Sequence, residues 1–192
     1  EFRAIAPFAF DDFYTRYTIE GNPNLKNATV HNADLKFEYY PSNGEVISVS
    51  AFYKKFLNPI ESKAVVGTSG STFSFANAYQ SDVVGAELEV KKSFVNAKNY
   101  FFKHFGLLAN ASYIYSKVNL GKENVGQSDN RPLQGQSPYS VNAGIFFEDK
   151  ELGLQANLLY NVIGKRIAFV GTDDNPDIYE MPRHTLDFNA AY

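Results

Sequence analysis

Residues 33–56 read ADLKFEYY-PSNG-EVISVSAFYKKF, and this stretch decides the fold. In the first arm Ala33, Leu35, Phe37 and Tyr39 alternate with Asp34, Lys36 and Glu38. In the second, Ile47, Val49, Ala51 and Tyr53 alternate with Ser48, Ser50 and Lys54. A period of two puts one apolar and one polar face on each arm, which is the pattern of a half-buried strand and not of a helix. Pro41-Ser42-Asn43-Gly44 between them is a turn, because Pro fixes φ while Asn and Gly tolerate φ > 0. Each arm also has the roughly 9–11 residues that a strand needs to cross a bilayer.

Working outward, the same alternation returns five times. It runs through Val84, Ala86, Leu88 and Val90, then through Phe105, Leu107, Ala109, Ala111, Tyr113 and Tyr115, with Leu108 and Ile114 as apolar exceptions on the polar side. It runs next through Tyr139, Val141, Ala143, Ile145 and Phe147, and then through Leu152, Leu154, Ala156, Leu158, Tyr160 and Val162. The last series is Leu186, Phe188, Ala190 and Tyr192. Between these strands the connections alternate in length. Turns 41–44, 94–103 and 149–151 are short, whereas 57–82, 118–136 and 164–182 are long and rich in Gly, Asn, Ser and Pro. Residues 1–32 read as a loop that contains a short strand or turn, and 72–80 as a short strand within its loop.

In an up-and-down antiparallel sheet, that alternation places all short connections at one end and all long ones at the other. This is the asymmetry of an outer-membrane barrel, with short turns inside and long loops outside. The polar faces carry Asp34, Lys36, Glu38, Lys54, Glu87, Glu89, Lys91, Arg183 and Asp187, as a wet lumen wall requires. Tyr39, Tyr53, Phe56, Phe101, Phe105, Tyr139 and Phe147 stand near strand ends, where interfacial aromatics belong. The expected fold is therefore all-β: an antiparallel up-and-down transmembrane β-barrel, here a partial barrel of about seven or eight strands. Single-chain bacterial barrels have even strand numbers. An odd count in a chain that starts in a loop and stops inside a strand reads as a piece of a larger barrel, with two open edges.

Composition bounds the alternatives. Aromatics make up 16% of the 192 residues, which favours β structure, and there is no cysteine, so disulfide and thiolate chemistry is absent. A net charge of −3 argues against a general nucleic-acid binder. No apolar run is long enough for a membrane helix, and EFRAIAPFAFDDF at 1–13 has no signal-peptide pattern, so any export signal is expected to have been removed or to lie upstream.

Several segments resemble the TonB-dependent outer-membrane receptors of Bacteroidetes, in the C-terminal part of their barrel. They are FRAIAPFAFDDF at 2–13, GNPNL at 21–25, NADLKFEYYPSNGEVISVSAFYKKFLNPIE at 32–61 and VVGAELEVKKSF at 83–94. The series continues with RPLQGQSPYSVNAGIFF at 131–147, LLYNVIGKRIAFVG at 158–171 and IYEMPRHTLDFNAAY at 178–192. The resemblance implies one stretch, 1–192, of a 22-stranded barrel whose plug domain and TonB box are not in this sequence. It also implies uptake of a scarce nutrient (siderophore-bound iron, cobalamin, haem or glycan) across the bacterial outer membrane. The implied partners are outer-membrane lipid, the plug and remaining strands, the TonB complex reached through the plug, and the nutrient itself. Residues 1–32, 57–82, 118–136 and 164–182 would then be external. The alternative is a soluble or surface β-sheet ligand-binding module with its apolar faces turned inward.

Chemistry-bearing residues are sparse. His31, His104 and His184 have no second ligand at metal spacing. Gly171-Thr172-Asp173-Asp174-Asn175-Pro176-Asp177 offers oxygen ligands for calcium but not in the order of a calcium loop. Glu87 and Glu89 share a strand face and could do acid–base work, although a charged lumen wall with Lys36, Lys91 and Lys92 as neutralising partners accounts for them more simply. The glycines at 67, 70, 121, 126 and 135 show no nucleotide fingerprint. An outer-membrane phospholipase would need a clustered Ser/His pair that these histidines do not supply. The expectation is a non-enzymatic protein with no catalytic residue, no metal site and no cofactor, whose ligand-binding residues are left open.

Overall fold

The structure, a computed structural model, describes residues 2–12, 17–67, 70–121, 131–171 and 176–192. After a single helical turn, α1 (Phe2–Ile5), come β1 (Ala9–Asp12), β2 (Tyr17–Glu20), β3 (Thr29–Tyr39), β4 (Val46–Leu57), β5 (Ile60–Gly67), β6 (Gly70–Asn77) and β7 (Gln80–Ser93). A short 3-10 turn at Phe102–His104 leads into β8 (Phe105–Asn119). There follow β9 (Tyr139–Asp149), β10 (Leu154–Ile163), β11 (Arg166–Phe169), β12 (Ile178–Glu180) and β13 (Arg183–Ala191).

Seven of these form one sheet in the order β3-β4-β7-β8-β9-β10-β13, and every neighbouring pair is antiparallel. They are the seven strands that the alternation predicts, paired as a meander. The connections 40–45, 94–104 and 150–153 lie at one end of the sheet, and 58–79, 120–138 and 164–182 at the other. Two short turns have readable causes. Gly44 takes φ +78°, and Gly153 takes φ +66° while the Asp149 carboxylate accepts hydrogen bonds from the amides of Glu151 and Leu152. Asn43 does not use its tolerance of positive φ; Asn58 does, at φ 51°, where β4 breaks into β5.

The apolar face has no second layer over it among the described residues. Leu35 is 78% exposed and Phe37 69%, and Val49, Leu88, Tyr113, Leu186 and Phe188 on the same face are exposed as well. A soluble sheet turns this face inward against a core. Here the buried apolar residues are Phe73, Ala78, Val83, Val118, Val162, Ile167 and Val170. All of them lie at the end with the long connections, Val162 as the penultimate residue of β10. No helix is long and apolar enough to cross a membrane, which leaves crossing by strands open.

The long connections are more ordered than expected. Residues 57–82 hold the β5–β6 hairpin, and β1 and β2 join it in a four-stranded sheet of order β1-β2-β6-β5. The β2–β6 pair is parallel, an exception to the antiparallel rule. Residues 164–182 hold a β11–β12 ribbon. β6 falls on the short strand expected at 72–80, and β1 and β2 on the short strand expected in 1–32, whereas alternation is too brief in β5, β11 and β12 to announce them; they are strands because they have partners to pair with.

Candidate functional site

The inner face of the sheet carries continuous polar rows. Following the register gives Glu38, Ser48, Glu89, Asn110, Asn142, Asn161 and Thr185, one residue from each of the seven strands. The row beside it is Lys36, Ser50, Glu87, Ser112, Ser140, Ile163 and Arg183. Side chains tie the rows together. The Asn142 amide donates to the Asn110 carbonyl oxygen at 2.6 Å, the Asn161 amide donates to Asn142, and the Ser112 and Ser140 hydroxyls share a 3.0 Å bond. A recess of about 280 Å³ on this wall is lined by Lys36, Ser48, Ser50, Glu87, Glu89 and Asn110 among others.

Charge pairing departs from the expected scheme. Lys36 meets Glu38 on its own strand at 2.6 Å, so this charge is balanced within β3. Lys92, expected as a partner for Glu87 or Glu89, belongs to the opposite face and binds Glu45 at 2.8 Å. Glu87 accepts a hydrogen bond from the Ser50 hydroxyl. Glu87 and Glu89 thus sit in a polar lumen-type wall, beside the Ser50 and Ser112 hydroxyls and Asn110.

The apolar exceptions on this face fill niches made by glycines. Phe52, Gly85 and Ile114 share one row, and a side chain on Gly85 would collide with the Phe52 ring. Leu108, Gly144 and Leu159 share another, where a Cβ on Gly144 would meet Leu159 at 2.8 Å and the Phe146 ring at 3.1 Å. A large ring over a glycine keeps the wall closed without a protrusion.

At the end with the long connections, three segments that sequence distance separates lock together. Arg131 makes a bidentate pair with Glu61, at 2.8 and 2.6 Å, and each residue is only about 5% exposed. Gln134 joins the same knot: its amide N–H donates to Glu61 at 3.1 Å, its side-chain oxygen accepts from the Ser62 amide and its side-chain NH2 donates to the Ala168 carbonyl. Backbone bonds run from Val170 to Ser62, from Gly135 to Ile167 and from Val118 to Arg131. Ile167 is fully buried, and the Phe73 and Phe169 rings pack 4.2 Å apart.

This cap lies on the polar side of the sheet. Val83, Ser116 and Val118 are buried, whereas Val84, Tyr113 and Tyr115, which point the other way from the same strands, are exposed. The Leu133 amide reaches the Ser116 hydroxyl directly. Beside the knot, a cavity of about 350 Å³ is lined by Ser116, Lys117, Arg131, Lys165, Arg166 and Tyr179 among others. Two of its cations are already compensated, Arg131 by Glu61 and Arg166 by Glu180.

The apolar side carries aromatics in two bands. Phe101, Phe105 and Phe147 pack together at the short-turn end, with Phe105 opposite Phe147 in the register. Tyr53, Tyr113, Tyr115 and Tyr139 mark the other end, and the residues between the bands (Leu107, Ala109, Ala111, Val141, Ala143 and Ile145) are all apolar. Ten steps of about 3.4 Å from Phe105 to Tyr115, tilted by about 40°, span roughly 26 Å. Phe56 is misplaced by the sequence reading. Its register partners Val30 and Ser81 put it on the inner face, at the foot of the cap.

The three histidines are far apart in the topology. His31 is on β3 and His184 on β13, the two opposite edges of the sheet, and the Tyr160 hydroxyl lies 2.8 Å from His184. His104 is at the short-turn end, with Nδ1 on the Glu148 carbonyl at 2.9 Å and Nε2 3.7 Å from the Asp149 carboxylate. Among the described residues no group of three metal-ligating side chains occurs. Most of the stretch 171–177 lies outside the described residues; Gly171 donates its amide to Asp177 at 2.8 Å.

The sequence profile of a family described as TonB dependent receptor-like, beta-barrel, matches residues 2–192. No curated protein matches the chain. Among solved structures, the copper transporter OprC is 17% identical, with a TM-score of 0.64 over 90% of this chain and 25% of that one. A mutant of the ferric enterobactin receptor PfeA of Pseudomonas aeruginosa is 17% identical, with a TM-score of 0.55 over 90% of this chain and 24% of that one. The FrpB iron transporter of Neisseria meningitidis is 11% identical, with a TM-score of 0.54 over 87% of this chain and 23% of that one. At these identities the likeness is one of fold. The chain spans about a quarter of the length of these structures.

Proposed function

The chain belongs to the TonB-dependent receptor-like β-barrel family, and on that premise we propose that it is part of the barrel wall and external loops of an outer-membrane nutrient transporter. The observation that supports this reading is the two-sided sheet: an uncovered apolar face between two aromatic bands, backed by a face on which polar rows predominate. A strand wall of that kind is stable only with lipid on one side and water or a polar plug on the other. The long loops are then external and the short turns periplasmic.

The chain has no enzymatic role in this reading. Its partners are outer-membrane lipid, the other strands that pair with the free edges of β3 and β13, a plug seated against the Asn- and Ser-rich face, and the TonB complex acting through that plug. The cargo class stays broad: siderophore-bound iron, cobalamin, haem or a glycan. The Bacteroidetes affiliation rests on the sequence segments alone.

The test is made on the full-length receptor. It should fractionate with the outer membrane, require detergent for solubility, and support TonB-dependent growth on one limiting nutrient of those classes. A monodisperse, detergent-free monomer would instead favour a soluble ligand-binding module.

A further inference from the structure

We propose that Arg131, Glu61 and Gln134 form a clip that makes three external loops a single body, so that a ligand meets one pre-assembled cap. Arg131 is the positioning residue at its centre. The proposal deepens the transporter reading, on which the word external rests; the clip itself rests only on geometry.

The bonds of these three residues join three separate connections. Arg131 and Gln134 come from the β8–β9 connection, Glu61 and Ser62 from the β5–β6 hairpin, and Ala168 from β11 in the β10–β13 connection. Glu61 sits 70 residues from Arg131 and 73 from Gln134, and it accepts from both. A carboxylate so deeply buried is tolerable because three donors converge on it, two from the Arg131 guanidinium and one from the Gln134 amide, and removing the guanidinium leaves an uncompensated charge. The ion pair is the joint on which the rest depends: with Arg131 absent, Glu61 must find water, and the nearest way to water is to lift the β5–β6 hairpin off the lumen face. Ile167, Val170 and Phe73, buried beneath the same knot, lose their cover in that event.

Gln134 divides the clip into two separable joints. Its side-chain bonds tie the hairpin to the β11–β12 ribbon, at Ser62 and Ala168, and leave the Arg131–Glu61 pair untouched. A graded outcome follows, which general destabilisation would not produce.

The experiment is amide hydrogen exchange on the full-length receptor in detergent, comparing wild type with Arg131→Met, Glu61→Gln and Gln134→Ala. With Arg131→Met or Glu61→Gln, exchange should accelerate together in 60–67, 131–136 and 166–170, by about tenfold or more, while the amides of β7 to β10 keep wild-type rates. With Gln134→Ala the acceleration should be confined to Ser62 and 166–170. Acceleration at 131–136 alone would overturn the proposal, as would unchanged rates in all three loops or simultaneous melting of β7 to β10. Uptake is not the readout, so a failed clip and a failed transporter reading are told apart.

Discussion

The side-chain amide of Asn142 donates to Asn110 on one side and its oxygen accepts from Asn161 on the other, so that one asparagine links three adjacent strands. Such a ladder has all its inner members satisfied only when the register is right. Asn142→Leu would leave Asn110 and Asn161 each without a partner. The expected cost is roughly 1–3 kcal/mol, read as a lower denaturant midpoint of the lipid-embedded receptor. Asn142→Gln, which keeps both donor and acceptor, should recover part of it. An unchanged midpoint for Asn142→Leu would mean that the row is hydrated and the ladder contributes nothing.

The two faces of β3 predict opposite tolerances. Leu35 stands uncovered on the apolar face, and Lys36 is paired with Glu38 on the polar one. Leu35→Arg should cost roughly 2–4 kcal/mol at mid-membrane, whereas Lys36→Gln should be mild. Equal effects on the folding free energy in lipid vesicles would show that the faces are exchanged.

Gly85 has no room for a side chain, because Phe52 already occupies the space in front of it. Gly85→Val should displace the Phe52 ring into the lumen and destabilise the wall by about 1–3 kcal/mol. Gly85→Val combined with Phe52→Ala should be milder than the sum of the two changes. Strict additivity in that double-mutant cycle would count against the close packing.

A pH dependence follows from the first short turn. The Lys92 ammonium, hydrogen-bonded to Glu45, holds its carboxyl below the usual carboxylate range, and the Ser93 amide adds to the effect. A folded-state value below the unfolded one, near 4.3, stabilises the folded form above that value and ceases to do so as pH falls through the lowered one. Wild type should therefore melt above Glu45→Gln at neutral pH, and the gap should close as the solution is taken below about pH 4. A gap independent of pH would mean that the Glu45 charge is not what the substitution removes.

The wall was readable in the residues because its rules are local. Leu35 and Lys36 disclose their faces by position parity, and Pro41 to Gly44 disclose their turn by residue type. That logic failed where parity gave way to position near a strand end: Phe56 was taken for an interfacial aromatic, although its partners Val30 and Ser81 place it inside. It also sent Lys92 to the wrong face, since a basic residue next to Lys91 gives no sign that the Glu45 turn claims it. The cap was hidden for a different reason. Nothing near Glu61 points to Arg131, and the Phe73 and Phe75 alternation is interrupted by Ser and Thr. A buried charge was nonetheless a usable signal in principle: Glu61 and Arg131 both stand beside prolines and apolar residues.

The spacing of contacts along the chain also sets an order of assembly. Each pair of neighbours in the large sheet is joined by a single connection, so the wall can zip up hairpin by hairpin with modest loop-closure cost. The cap cannot begin until β8 and the β11–β12 ribbon exist, because its central pair closes a loop of 70 residues. The Glu61–Arg131 knot thus carries a larger loop-closure cost than any hairpin of the wall, so the cap is the part of the fold whose assembly leans most on strands already in place.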